Sequence, residues 1–126
     1  MSIIETPDAP AAIGPYSQAR IHGDLLFVSG QLPIDAESGH LVSGTASEQM
    51  HRCLNNIEHI VKAAGASMAN VLKTTVLVTD LTGFADINAA YAEHFVAPFP
   101  ARTTFEAATL PRGALVEVDA IVSLTR

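Results

Sequence analysis

The sequence predicts an α+β fold, a mixed β-sheet with two helices packed on one face. Three observations carry this. Extended, β-type runs fill the first and last thirds of the chain. A helix with its own start and stop signals occupies the middle, and a β-branched run separates it from a second helix. In chain order the elements read hairpin, helix, strand, helix, hairpin. With 126 residues the chain is expected to form a single domain, residues 1–126, since domains take roughly 100–200 residues. Such a chain hides roughly two-thirds of the surface it exposes when unfolded, so it needs neither disulfides nor a structural metal.

Residues 19–22 and 25–29 are short β-type runs around a tight turn at His22-Gly23-Asp24, and 35–39 reads as a wide turn. Thr45-Ala-Ser-Glu48 fits a capping box, in which two side chains satisfy orphan amides at a helix start. From there Met50, Cys53, Leu54, Ile57, Ile60, Val61 and Ala64 recur at three- and four-residue spacing. That stripe predicts a helix over 46–64, with Gly65 as its stop signal. Residues 71–79 are β-branched and read as a strand. A second helix is expected to open at Thr82, carry Phe84, Ile87, Asn88, Tyr91 and Phe95 on one face, and end before Pro98. Finally, 102–109 and 115–124 read as two strands of a hairpin joined by Leu110-Pro-Arg-Gly113.

Hydrophobic residues make up an ordinary 48% of the chain, but only 16% are charged, against about 25% in a typical soluble protein. Few charges on a small domain imply that some surface is not wet, and hence a homo-oligomer. A sheet covered by helices on one side has a second face to hide, and the contact is expected there. Seven basic against thirteen acidic residues leave a net charge of −6, with no basic cluster and no Trp. That balance argues against a nucleic-acid surface. No signal peptide is visible at the N-terminus and no apolar stretch reaches the roughly 18 residues of a membrane span, so a cytoplasmic protein with no membrane partner is expected.

The chemistry-bearing residues are few. His51 and His59 lie too far apart on one helix to share a metal, and the other histidines sit on separate elements; all read as surface or hydrogen-bonded groups. Cys53 lies on the apolar stripe and reads as a packed small hydrophobe. No Gly-rich phosphate loop occurs, and Ser29 lacks the surroundings of a hydrolase nucleophile. What remains is chemistry without metal or cofactor, or binding. In the C-terminal hairpin, period-two alternation puts Arg102, Thr104 and Glu106 on one face and Glu117 and Asp119 on one face of the second strand. With the turn near Pro111-Arg112, Glu106 would oppose Glu117. Arg102 would then lie on that same face with its Cα roughly 13 Å from that of Glu117, leaving room for a three- or four-carbon molecule. Spacing alone is equally the pattern of a solvated sheet face.

Four collinear motifs, over nearly the whole chain, sharpen this. Pro100-Ala-Arg-Thr-Thr-Phe-Glu-Ala-Ala-Thr-Leu-Pro-Arg-Gly-Ala-Leu-Val-Glu-Val118 resembles the signature of the RidA (YjgF) family of imine/enamine deaminases. Ile13-Gly-Pro-Tyr-Ser-Gln-Ala19, Val28-Ser-Gly-Gln-Leu-Pro33 and Asn88-Ala-Ala-Tyr91 are similar to its other motifs. The resemblance implies a chorismate-mutase-like α+β subunit, assembled as a homotrimer with a ligand cleft between each pair of neighbours. It implies hydrolysis of 2-imino acids, tautomers of 2-aminoacrylate and 2-aminocrotonate, to 2-keto acids and ammonia. Arg102 matches the arginine that clamps the substrate carboxylate, and Glu117 the glutamate that handles water. Tyr16, Ser29, Gly30 and Asn88 match cleft-lining, substrate-binding positions. Thr104 stands where many members carry Cys; its hydroxyl or backbone amide preserves binding, but a thiol-dependent reactivity is not expected. Two other activities are attributed to relatives: holding 2-keto acids without catalysis, and cleaving RNA. The first makes no use of Glu117, and the second fits poorly with the charge of −6.

Overall fold

A computed structural model describes residues 2–125. Its strands are β1 (Ile3–Ile4), β2 (Ala19–His22), β3 (Leu25–Gln31), β4 (Val71–Val78), β5 (Ala101–Glu106) and β6 (Val116–Ser123), and its helices α1 (Ala46–Ala63) and α2 (Phe84–Ala92). The strands form one sheet in the order β1-β2-β3-β6-β4-β5. Only β4 and β5 run parallel, so the sheet is mixed. Both helices lie on one face, as the α+β reading expects. Among the described residues no helix is long and apolar enough to cross a membrane.

Local sequence explains the elements that match expectation. The β2–β3 turn pairs His22 with Leu25, and Gly23 supplies the positive φ of 58° that so tight a turn demands. At the start of α1 Thr45 and Glu48 form the capping box, the Glu48 amide donating to Thr45 Oγ1 and the Thr45 amide to Glu48 Oε1, both at 3.2 Å. The helix closes with Gly65 donating to the Lys62 carbonyl and Ala66 to that of Val61, which is a Schellman stop. Between those caps Met50, Cys53, Leu54, Ile57, Ile60 and Val61 are completely buried against Leu26, Val76, Val78, Val116, Val118 and Val122. Each such Leu or Ile is worth roughly 1.5–3 kcal/mol of transfer free energy. Cys53 is part of this packing, and burial pushes its thiol pKa far up, as expected for an inert structural cysteine.

The second helix differs from its expected limits. Thr82 lies in a 3₁₀ turn (Leu81–Gly83) capped by Asp80, whose Oδ1 accepts from the Thr82 amide and hydroxyl at 2.9 and 2.7 Å. The α-helix itself ends at Ala92, well short of Pro98. Phe95 then folds back onto Tyr91, with ring centroids 4.8 Å apart, and is buried without being helical.

The larger correction concerns the C-terminal hairpin, which does not form. β5 and β6 lie on either side of β4: β5 pairs with it in parallel, β6 antiparallel. The chain leaves β5 and reaches β6 over residues 107–115, through a 3₁₀ turn at Pro111–Gly113. β4 is buried at Val76 and Val78 and β6 at Val116, Val118, Ala120 and Val122, so both belong inside the sheet, while β5 is exposed as an edge strand should be. A β5–β6 hairpin would have left β4 an apolar strand at an open edge.

Paired residues project to the same side of a sheet, so register now fixes the faces. Arg102 is level with Thr74, which is level with Ala120; all three lie on the helix-covered side. Glu117 is level with Leu77, which is level with Phe105, on the helix-free side. Arg102 and Glu117 therefore lie on opposite faces, and Glu106 does not oppose Glu117; its Oε1 instead accepts from the Leu81 amide at 3.0 Å. The helix-free face keeps two large aromatic side chains exposed, Phe27 at 42% and Phe105 at 50%.

Candidate active site

The candidate residues gather into two half-sites. The first is built on β3 and β6. A register shift in β3 between Val28 and Gln31 sets Ser29 and Gly30 out of the regular ladder beside Glu117. Ser29 Oγ donates to the Ser17 carbonyl and Gln31 Nε2 to the Ser29 carbonyl at 3.2 Å, pinning the bulge. A Cβ at Gly30 would collide with Glu117 Oε2, so any side chain at this position would push that carboxylate out of its place. The approach to this half-site is held by Gln18, a buried side chain whose Nε2 donates to the carbonyls of Thr6, Ala9 and Pro10 and whose Oε1 accepts from the Thr6 amide at 2.7 Å. These bonds fasten the strap that carries Tyr16 over the same space. The result is a cleft of about 580 Å³ lined by Tyr16, Ser29, Gly30 and Glu117, with apolar walls from Ile13 and Leu32.

Glu117 is half-buried and receives no hydrogen bond from a described residue. Its pKa is raised above the usual carboxylate range, first by burial and then by the charge of Asp119 two residues along the same face. Asp119 is itself engaged, accepting from the Thr75 amide at 3.1 Å. The neighbour that perturbs Glu117 is thus Asp119 and not Glu106.

The second half-site is built on β5 and α2. The Arg102 guanidinium carbon sits 4.9 Å from the centre of the Tyr91 ring and 5.4 Å from that of Phe84, and Nη1 donates to Asn88 Oδ1 at 2.8 Å. Tyr91 is in turn fixed by a 2.6 Å hydrogen bond between its hydroxyl and the buried Thr74 Oγ1. Burial also raises the Tyr91 pKa, so at neutral pH the phenol is protonated and available to that bond. Two ring faces and one amide orient the guanidinium by cation–π contact and hydrogen bonding. No described carboxylate forms an ion pair with it. Arg102 and Asn88 line a shallower cleft of about 430 Å³ with Tyr91, Phe99 and Pro100.

Of the seven positions singled out from the sequence, Tyr16, Ser29, Gly30 and Glu117 share one cleft and Asn88 and Arg102 the other. Thr104 lines neither; its Oγ1 is buried, without a hydrogen-bond partner among the described residues. Sequence reasoning missed Phe84 and Tyr91 as the seat of Arg102. Their spacing with Asn88 was visible, but it read as a core-facing stripe. Among the described residues no three metal-ligating side chains cluster. His51 and His94 meet instead across α1 and the end of α2, with Nδ1 and Nε2 2.8 Å apart.

An α+β domain that carries a seated guanidinium with no described carboxylate paired to it in one cleft, and a half-buried carboxylate in another, has the groups to hold a small anionic molecule and move a proton on it. Comparison with known proteins agrees with this class. The Endoribonuclease L-PSP family matches residues 6–124, and the chain belongs to that family, the RidA (YjgF) family its motifs resemble. It is 55% identical over 122 residues to a RutC family protein, y4sK, of Sinorhizobium fredii, covering 97% of each chain. It is 47% identical to the 2-iminobutanoate/2-iminopropanoate deaminase of Bos taurus, over 94% of this chain and 87% of that one. The crystal structure of RidA from an Antarctic Psychrobacter superposes with a TM-score of 0.94 at 39% identity, covering 98% and 99% of the two chains.

Proposed function

We propose that the protein is a hydrolytic deaminase of small 2-imino acids, working as a homotrimer in which Arg102 of one subunit and Glu117 of the next complete each cleft. One observation supports this above the others. The two groups such a reaction needs lie on opposite faces of one sheet, each without an ionic partner among the described residues, so a small ligand can touch both only between two copies. The low charge content and the exposed Phe27 and Phe105 on the helix-free face are consistent with such contacts. Relatives named as 2-iminobutanoate/2-iminopropanoate deaminases support the choice of substrate.

In this reading the Arg102 fork holds the substrate carboxylate through two parallel hydrogen bonds and so fixes C2. Water oxygen adds to C2 while Glu117 takes one of its protons. The C=N electron pair moves to nitrogen, which recovers that proton from Glu117 and leaves a neutral carbinolamine. Glu117 then takes the hydroxyl proton as the C–N bond breaks, and passes it to the departing nitrogen. The sum is R–C(=NH)–COO⁻ plus H₂O giving R–CO–COO⁻ plus NH₃. A carboxylate with a raised pKa suits both halves, because it accepts and returns a proton nearer to neutral pH. Tyr16, Ser29 and Gly30 shape the cleft and Asn88 steers the guanidinium.

The test generates 2-aminoacrylate from serine with a pyridoxal-phosphate dehydratase and follows pyruvate release against semicarbazide trapping. Acceleration at micromolar protein is expected, from a species with a light-scattering mass near three times 13.3 kDa. An unchanged rate would overturn the reading, and a stable monomer would remove the site placed between copies. In the same assay Gly30→Ala should lower kcat about a hundredfold, the scale of loss from a misplaced catalytic group, with the circular-dichroism spectrum of the native fold retained. Normal turnover would show that Glu117 does not depend on its seat against Gly30. Tight 2-keto acid binding without acceleration would favour a binding module that uses the same cleft. The family description as an endoribonuclease favours RNA cleavage, which the charge of −6 opposes; RNA degradation abolished by Arg102→Ala would establish it.

A further inference from the structure

Among the described residues the larger cleft carries one charged side chain besides Glu117, and the mechanism above has no use for it. That side chain is Arg112, in the 3₁₀ turn between β5 and β6. Among the described residues Arg112 is the only non-glycine residue with a positive φ (φ 60°, ψ 17°). A long, Cβ-bearing residue rarely adopts that conformation, and where one does the surrounding structure must hold it there. Here Pro111 precedes it, Gly113 follows at φ 73°, and the amides of Gly113 and Ala114 close the turn on the carbonyls of Leu110 and Pro111, both at 3.2 Å.

The head of this exposed side chain makes one contact. Nη2 donates to the Gly39 carbonyl at 3.1 Å, tying the guanidinium to the 35–39 turn. No described carboxylate pairs with it. Of the two acids on that turn, Asp35 accepts from the Ser38 amide at 3.0 Å and the exposed Glu37 makes no ion pair with Arg112. In a chain with thirteen acidic and seven basic residues, a guanidinium at a cleft wall with no described carboxylate paired to it can pair with an anionic ligand. The guanidinium keeps most of its five donors free, in the planar arrangement that suits a carboxylate.

We propose that Arg112 forms a second anion subsite in the Glu117 cleft and selects 2-imino acids whose side chain ends in a carboxylate. This rests on the deaminase reading, in which Arg102 takes the carboxylate next to C2 and Glu117 serves C2 itself. The substrate side chain is then the only part left to meet Arg112. An alkyl side chain leaves the cation unused, whereas a distal carboxylate forms charge-assisted hydrogen bonds with it.

The experiment compares 2-iminoglutarate, made from D-glutamate by D-aspartate oxidase, with 2-iminopropanoate, made from D-alanine by D-amino acid oxidase. Each is followed by keto acid release against semicarbazide. Arg112→Gln should lower the ratio of kcat/KM for 2-iminoglutarate over 2-iminopropanoate by about tenfold, the scale of one charged hydrogen bond, and Arg112→Lys should restore part of it. A ratio that does not move overturns the subsite. So does an equal loss for both substrates, which would instead place Arg112 on the carboxylate common to the two. Calorimetry with 2-oxoglutarate and pyruvate separates this proposal from the deaminase reading. Wild type should prefer 2-oxoglutarate and Arg112→Gln should lose that preference, even if neither imine is turned over. Absence of the preference in wild type overturns the subsite while leaving 2-iminopropanoate hydrolysis untouched.

Discussion

Arg102→Ala is expected to lower kcat/KM for 2-iminopropanoate by about two to three orders of magnitude. Truncating one member of a buried, hydrogen-bonded charge pair costs roughly 2–5 kcal/mol. Here the other member would be a substrate carboxylate that has just shed its water. The side chain is seated before any ligand arrives, between the Tyr91 and Phe84 rings and against Asn88 Oδ1, so its binding geometry costs little further ordering. Arg102→Lys should recover only a small part of the loss, because an ammonium is a point charge that cannot present two parallel donors. The loss should fall mainly on KM and on the affinity for pyruvate. Activity within threefold of wild type would remove Arg102 from the mechanism.

Glu117→Gln is expected to do the reverse. Pyruvate binding should survive, since the amide keeps the shape of the side chain, while kcat falls by about 10²–10⁴, the usual contribution of a positioned general base. The wild-type pH profile carries a related signature. Burial and the Asp119 charge raise the Glu117 pKa, and the base acts in its ionised form. The acid limb of kcat/KM should therefore lie above the ordinary glutamate range and should vanish in Glu117→Gln. Stability moves in the opposite sense to activity. A carboxyl whose folded pKa is raised favours folding below its unfolded pKa, and that advantage is lost as pH rises through the folded pKa. At neutral pH the wild type therefore holds an ionised group against its preference. Glu117→Gln should melt no lower than wild type at pH 7, and relatively less favourably near pH 4. Unchanged turnover in Glu117→Gln would dismiss the glutamate as base.

Local signals account for what the sequence disclosed. The capping box at Thr45, the stop at Gly65 and the stripe from Met50 to Val61 depend on neighbours within one or two turns, so α1 was legible nearly to the residue. Strand content was legible for the same reason, because alternation along β6 needs no knowledge of its partners. Pairing is a different kind of fact. Whether β6 lies beside β5 or beyond β4 depends on which arrangement buries Val76 and Val78, and no short stretch of chain records that. The side on which Arg102 projects was lost with it, since a face is defined only relative to the strand next door. The motifs marked Arg102 and Glu117 as the residues of interest. Their resemblance implied a cleft between neighbouring copies, but they were silent on Asp119 as the charge beside Glu117 and on the aromatic seat of Arg102.

The placement of those two residues on opposite sides of one sheet has a consequence for inheritance and regulation. In the proposed assembly no chain owns an active centre. Each contributes an anchor to one neighbour and a base to the other, so a copy lacking either group silences one of its two clefts and serves the second normally. Damage is shared out instead of being confined to the altered chain. Catalytic output then depends on how often copies meet as well as on how many are made.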